Sequence, residues 1–182
     1  MSNPRRDPSR LDVDLVGLAS PTEERNPASA ELDTLDARGM VDVILGEDAT
    51  VAAAVQARSA EIAALVETFV AAIADGGTVH YLGAGTSGRL AVLDAVELAP
   101  TFDADESMVT AHLAGGPGAF LTAVEGAEDS AAQGAQLVRE LCREGDVVIG
   151  LAASGRTPFV AGALEAARAA GMPTARAGPA HS

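Results

Sequence analysis

The run Gly83-Ala-Gly-Thr-Ser-Gly88 sets two hydroxyls inside a glycine frame, directly after the β-rich stretch Thr78-Val-His-Tyr-Leu82 and before a helical one. At a strand-to-helix turn the free backbone N–H groups of the helix start favour a negative charge beyond the end of the helix. With Thr86 and Ser87 between Gly85 and Gly88, the turn makes an anion cradle that suits a monophosphate as well as a pyrophosphate. The run is formally G-x-G-x-x-G. A dinucleotide site also needs an acidic residue at the end of the second strand to hold the ribose, and here that strand runs His112-Leu113-Ala114 into Gly115-Gly116 without one. A P-loop needs lysine and then a magnesium-binding hydroxyl after its last glycine; Arg89 and Leu90 stand there, which excludes a nucleoside triphosphatase. The plainer reading is that the glycines shape a tight turn and that Thr86 or Ser87 caps the helix. A second turn weighs against it: Ser154-Gly155-Arg156 repeats Ser87-Gly88-Arg89, and Thr157 follows, so two hydroxyl-rich turns point to one phosphate ligand.

Two groups of carboxylates stand out from an otherwise solvated acidic surface. Glu97 ends the helix that begins at the cradle, between Val96 and Leu98-Ala99-Pro100. Glu125, Glu128 and Asp129 fall in Ala123-Val-Glu-Gly-Ala-Glu-Asp-Ser130, where Gly126 interrupts helix and Asp129 or Ser130 is a natural cap for the next one. Spacing alone leaves each carboxylate open to a catalytic or a merely solvated role.

The elements that must position these residues follow from periodicity. Ser29 to Leu45 suits a short helical lead-in, and Glu47 to Asp75 one long amphipathic helix, with Val51, Val55, Ile62, Leu65, Val66, Phe69 and Ile73 on a single face until Gly76-Gly77 stops it. Strands are expected at Thr78–Leu82, Ser107–Leu113, Asp146–Leu151 and from Pro173. Helices are expected at Arg89–Leu98, stopped by Pro100, around Glu125–Arg143, and from the second turn to about Ala170. Strands alternating with helices argue for an α/β fold, a doubly wound parallel sheet with helices on both faces behind a helical N-terminal arm. Both turns would then open at the carboxyl edge of the sheet, where open α/β sheets bind ligands.

Composition narrows the partners. The chain has 182 residues, 12 Lys+Arg against 26 Asp+Glu, one cysteine and three histidines. Its length suits one domain with a proper core. A formal charge of −14 repels a phosphate backbone, which argues against nucleic acid. Cys142 alone makes no intramolecular disulfide, and His80, His112 and His181 do not form a zinc-ligand pattern; a reducing cytoplasm and a site without metal are expected. Residues 1–20, where Asp7, Asp12 and Asp14 interrupt any apolar run, read as a flexible extension ahead of an arm at 21–48 and the main domain at 49–182. No stretch approaches the ~20 apolar residues that span a bilayer.

Leu82-Gly-Ala-Gly-Thr-Ser-Gly-Arg-Leu90, Leu93-Asp-Ala-Val-Glu97, Ala123–Ser130 and Ala152-Ala-Ser-Gly-Arg-Thr-Pro158, in this order, resemble the N-acetylmuramic acid 6-phosphate etherases. Thr22-Glu23, Arg25-Asn-Pro27 and Leu32-Asp-Thr-Leu35 resemble the N-terminal segment of the same family. The resemblance implies a sugar isomerase (SIS) type domain acting on a phosphosugar in the bacterial cytoplasm without cofactor or metal, as a homodimer with its site near the subunit interface. It implies cleavage of the D-lactyl ether to N-acetylglucosamine 6-phosphate and D-lactate in cell-wall sugar recycling. By motif it makes Glu97 and Glu128 the acid/base pair, Glu97 serving the leaving lactate and Glu128 the C2 proton, with the roles exchangeable. Both would be carboxyls raised toward neutrality by burial. Gly85, Thr86, Ser87, Gly88, Ser154, Gly155 and Thr157 fall on the phosphate-cradling positions. Leu98-Ala99-Pro100 departs from the family's usual pair of prolines, and the likeness fades after Met172, so the domain is expected to be incomplete at its C-terminal side.

Three other readings remain. An aldose–ketose phosphosugar isomerase would use the same C2 proton abstraction but release no lactate. A non-catalytic sugar-phosphate module would bind without turnover; its DNA-binding form would need a basic helix-turn-helix, which the acidic segment 21–48 lacks. An inactive fragment would do neither.

Overall fold

A computed structural model describes residues 24–178. The extension expected at 1–20 lies outside the described residues. Four strands, β1 (Val79–Gly83), β2 (Val109–Leu113), β3 (Val147–Leu151) and β4 (Thr174–Ala177), form one parallel sheet in the order β2-β1-β3-β4. Gly83 at the end of β1 is level with Leu113 of β2 and Leu151 of β3, so the carboxyl ends share one edge. From β1 the chain moves to one side of the sheet and from β3 to the other, so the crevice between the ends of β1 and β3 is the topological switch point.

Helices cover both faces. On one, α4 (Ala131–Leu141) and α5 (Pro158–Ala169) close over Leu82 and Val148, with Val138, Phe159, Val160, Ala163, Leu164 and Met172 in a continuous buried cluster. On the other, α2 (Ser59–Ala74) lays Leu65, Phe69, Ala72 and Ile73 on Val79, Val147 and Ile149. The helix α3 (Gly85–Phe102) leaves the end of β1 and packs against β1 and β2. The doubly wound α/β reading is therefore correct.

Several boundaries differ from those expected. The long helix at 47–75 is two helices: α1 (Ala37–Gln56) ends at Ala57, where Arg58 N–H turns back to Val55 O at 2.9 Å, and α2 restarts at Ser59. No glycine or proline marks this break, so periodicity passes straight through it. The lead-in expected at 29–45 begins with two single 3-10 turns, Pro27–Ser29 and Leu32–Thr34, and from Ala37 onward is the first part of α1, which Asp36 caps by accepting from Gly39 N–H at 2.8 Å. Pro100 does not stop α3, which runs on to Phe102. A proline so near the C-terminal end removes a single intrahelical hydrogen bond, and the true stop is Asp103, in the left-handed conformation at φ 54°. The α-helical stretch centred on Glu125–Arg143 is shorter than expected: Glu125 lies in a turn and Glu128 in the single 3-10 turn Ala127–Asp129, both ahead of α4, whose cap is Ser130.

One buried polar network runs through the sheet. Asp146, 1% exposed, accepts from the N–H of Thr78 and of Arg143, both at 2.8 Å, and also meets His80 Nε2 at 3.1 Å and the Arg143 guanidinium at 3.8 Å. Burial pushes the Asp146 carboxyl up, but those two N–H groups and the His80 ring outweigh it and hold the carboxyl below the usual range. An ionised Asp146 makes His80 Nε2 the donor, and His80 Nδ1 lies 3.0 Å from both Thr110 Oγ1 and His112 Nε2. Among the described residues no helix is long and apolar enough to cross a membrane.

Candidate active site

The two hydroxyl-rich turns meet at the switch point. Both follow neighbouring parallel strands, one opening α3 and the other α5. Gly85 begins α3 at φ +54°, a conformation that strains any residue with a Cβ. Gly88 stands where α3 crosses the end of β1: a Cβ there would lie 2.6 Å from Gly83 O and collide with Leu113. Its glycine thus lets the helix start against the strand. Its N–H is already bonded to Ala84 O at 3.2 Å, so Gly88 shapes the cradle without an N–H to offer.

The capping alternative fails. The cap position is Ala84, which has no side-chain oxygen, and Thr86 and Ser87 fall within the first turn of α3. Among the described residues no side chain caps that start, so the N–H groups of Gly85, Thr86 and Ser87 face outward, as first-turn donors do. At α5, Thr157 holds the cap position but makes no capping hydrogen bond, and Pro158 follows it at the first helical position. In the same turn Ser154 Oγ accepts from Arg156 N–H at 3.2 Å.

Between these helix starts lies a cavity of ≈ 270 Å³, near the small end of the roughly 300–1,000 Å³ typical of ligand pockets. Gly85 and Arg89 of α3, Thr157 at α5, and Glu125 and Glu128 of the intervening turn all line it. Arg89 is the one cation among the described residues lining it. A ligand there meets two uncapped helix starts, the Thr157 hydroxyl, a guanidinium and two carboxylates. Such a site can hold an anion at one end and move protons at the other.

The family model described as "Glucokinase regulatory protein N-terminal SIS domain" matches residues 61–168, which contain the whole of this site. The chain belongs to this SIS domain family. It is also 49% identical over 166 residues to N-acetylmuramic acid 6-phosphate etherase 2 of Vibrio parahaemolyticus, covering 91% of this chain and 55% of that protein. It is 50% identical over 155 residues to N-acetylmuramic acid 6-phosphate etherases of Yersinia pestis and Yersinia pseudotuberculosis, covering 85% of this chain and 52% of each. The chain thus spans about half the length of the curated relatives it matches. A solved structure of phosphoheptose isomerase from Neisseria gonorrhoeae superposes with a TM-score of 0.43 at 24% identity, over 74% of this chain and 75% of that one. A superposition that loose decides nothing about function.

Within this SIS domain the expected site residues do not all come together. Gly85, Thr157 and Glu128 line the switch-point cavity; Thr86, Ser87, Gly88, Ser154 and Gly155 belong to the two turns beside it without lining it. Glu97 is elsewhere. It lines a separate, largely apolar cavity of ≈ 630 Å³ on the α2 side, with Leu65, Phe69, Tyr81 and Asp94. Twelve residues of helix separate it from Gly85, about 18 Å along the axis. Nor are the carboxylates buried as expected: Glu97 and Glu128 are both exposed, one on the open side of α3 and one on a solvent-facing turn. Sequence reasoning did not single out Asp94, one turn from Glu97 on α3, or Tyr81 of β1, which line the same cavity. The Tyr81 hydroxyl is pushed up to about 12 by burial and then by the charge of Asp94 and its hydrogen bond with it. Spacing of three from Asp94 to Glu97 places both on one helix face and was the available signal.

Proposed function

We propose that this chain carries the phosphate-binding and acid/base apparatus of an N-acetylmuramic acid 6-phosphate etherase, cleaving the lactyl ether to N-acetylglucosamine 6-phosphate and D-lactate. The observation that carries the reading is the switch-point cavity, where two uncapped helix starts and Thr157 face Glu128. The identity of about half of all positions to etherases supports it. The phosphate occupies the cradle of Gly85, Thr86 and Ser87 and the turn of Ser154, Gly155 and Thr157, and holds the reacting end in place. In the ring-opened sugar the C2 proton lies α to the C1 aldehyde. Glu128 removes it, the C3–O bond breaks as the lactyl oxygen takes a proton from an acid, and the unsaturated aldehyde then adds water at C3. Each proton transfer is worth typically 10²–10⁴-fold.

The acid is Glu97, and it comes from a second copy of the chain. At about 18 Å along α3 from the cradle, a chain's own Glu97 does not reach a hexose held there. A homodimer is further supported by α1, which buries no residue and leaves Val41, Ile44, Leu45, Val51 and Val55 exposed. Dimerisation would also cover both carboxylates. The enzyme acts in the cytoplasm, where phosphosugars are made and consumed.

D-lactate release from N-acetylmuramic acid 6-phosphate tests the reading directly. The parent chain should release lactate, and Glu97→Gln and Glu128→Gln should each lose at least about 100-fold. Mixed together, the two variants should regain about a quarter of parent activity, because half the dimers are mixed and each mixed dimer has one intact site. Binding of the phosphosugar by the parent without lactate would replace the reading with a non-catalytic module. Ketose formation without lactate would replace it with an isomerase.

A further inference from the structure

We propose that Arg89 is a positioning residue, whose guanidinium ties the turn Pro117–Phe120, which heads the segment leading to Glu128, to the helix carrying the anion cradle. Arg89 lies one turn into α3. Its Nε donates to Phe120 O at 2.9 Å and its Nη2 to Ala119 O at 2.7 Å, two successive peptide carbonyls of the 3-10 turn Pro117–Phe120. That turn opens the segment that leads to Glu125 and Glu128. From Leu121 to Gly126 every residue is exposed, and the backbone hydrogen bonds there are local and long: Thr122 N–H to Gly118 O at 3.2 Å and Ala127 N–H to Val124 O at 3.4 Å. Beyond this stretch Ala127, next to Glu128, rests on the core between α4 and α5, so residues 121–126 are the weakly held link between the cradle and that anchor.

The guanidinium supplies what those local contacts do not. A planar fork reaches two neighbouring carbonyls at once, and hydrogen bonds from an ionised donor are roughly twice as strong as neutral ones. Lysine, a single point charge on a flexible stem, does not reproduce that geometry. Arg89 also lines the cavity with Gly85, Glu125, Glu128 and Thr157, so the same side chain that fixes the wall puts positive charge beside two carboxylates and an anionic ligand. Misplacement of a catalytic group by about 1 Å costs on the order of 100-fold in rate, so a clamp on the segment that leads to Glu128 is felt in turnover more than in binding. The effect on turnover rests on the etherase reading; the clamp itself does not.

The test uses Arg89→Met and Arg89→Lys in the whole chain, with three measurements. Amide hydrogen exchange should rise about tenfold or more over residues 117–129 in both variants and stay unchanged in β3. Affinity for N-acetylglucosamine 6-phosphate, held chiefly by the cradle, should weaken less than about tenfold, while kcat for lactate release falls about 100-fold. Equal exchange over 117–129 in the parent and Arg89→Met would overturn the proposal, as would Arg89→Lys behaving like the parent, since charge without the fork would then suffice. Faster exchange in β3 as well would overturn it too, showing Arg89 to be a general support of the fold. If the parent releases no lactate, the etherase reading fails alone and the exchange measurement still decides the clamp.

Discussion

The two faces of this sheet are built from the same kinds of residue and finished differently. On the α4 and α5 side, Val160 and Leu164 are 2% and 4% exposed, and glycines let α4 and α5 approach backbone to backbone: a Cβ on Gly162 would meet the Ala131 carbonyl. On the α2 side, Leu65, Phe69 and Ile73 reach the sheet, but Val66 and Val70, on the same helix, are 52% and 62% exposed, and α1 buries nothing. On the α2 side the sheet itself is covered, and what stays without a cover among the described residues is the outer apolar stripe of α1 and α2. The closed face carries the larger buried cluster; the open face, the outer side of α1 and α2, keeps its apolar stripe exposed.

The largest effect that sharpens this contrast is Leu164→Ala on the closed face. It should cost about 2–5 kcal/mol by chemical denaturation, whereas Val70→Ala on the open face should stay within about 0.5 kcal/mol when the chain is dilute enough to be monomeric. A loss at Val70 as large as that at Leu164 would mean the open face is already covered within the chain. Gly88→Ala tests the strand-to-helix crossing between the faces. The added Cβ meets Gly83 O and Leu113, so a cost of about 1–3 kcal/mol and weaker binding of inorganic phosphate are expected, by denaturation and calorimetry.

The buried network adds a pH dependence to the closed side. His112 is pushed down to about 4 by burial and then by the neighbouring His80. A base with a lower pKa in the folded state binds fewer protons there than in the unfolded chain. Stability therefore rises with pH between about 4 and about 6.5 and is lost as acid is added through that window. The loss should be on the order of 2 kcal/mol, read from denaturation midpoints. Asp146, held below its usual range, adds a further loss as pH falls below about 4. His112→Leu should flatten the slope above pH 4 and leave the Asp146 part in place; an unchanged slope would show that His112 is not its source.

The smallest effect on stability bears on the open face. Val66→Asp should leave the denaturation midpoint of the dilute chain nearly unchanged while abolishing self-association in sedimentation. A chain that sediments as a monomer before any substitution would remove the second copy from the reading.

Much of the fold was legible because parallel α/β sheets write themselves locally. Val147 to Leu151 is a continuous apolar run because both of its faces are covered, and Gly83 and Gly88 are glycine because a helix start must touch a strand end. The break at Ala57-Arg58 was not legible, since neither residue carries a breaker's chemistry and tertiary placement overrode a good helical period. Nor were the roles of Thr86 and Ser87 at the start of α3, where Ala84 holds the cap and leaves the donors free.

By itself the sequence determined the α/β class, the two hydroxyl-rich turns and the carboxylates worth testing, because propensity, turn chemistry and motif order act over a few residues at a time. Only the tertiary structure decided that β1 and β3 are neighbours, so that turns about 70 residues apart open on one crevice. It also decided that Glu128 looks into that crevice while Glu97 lies three turns along α3 in another cavity. Those are facts of strand order and helix length in space, which no local pattern of residues encodes.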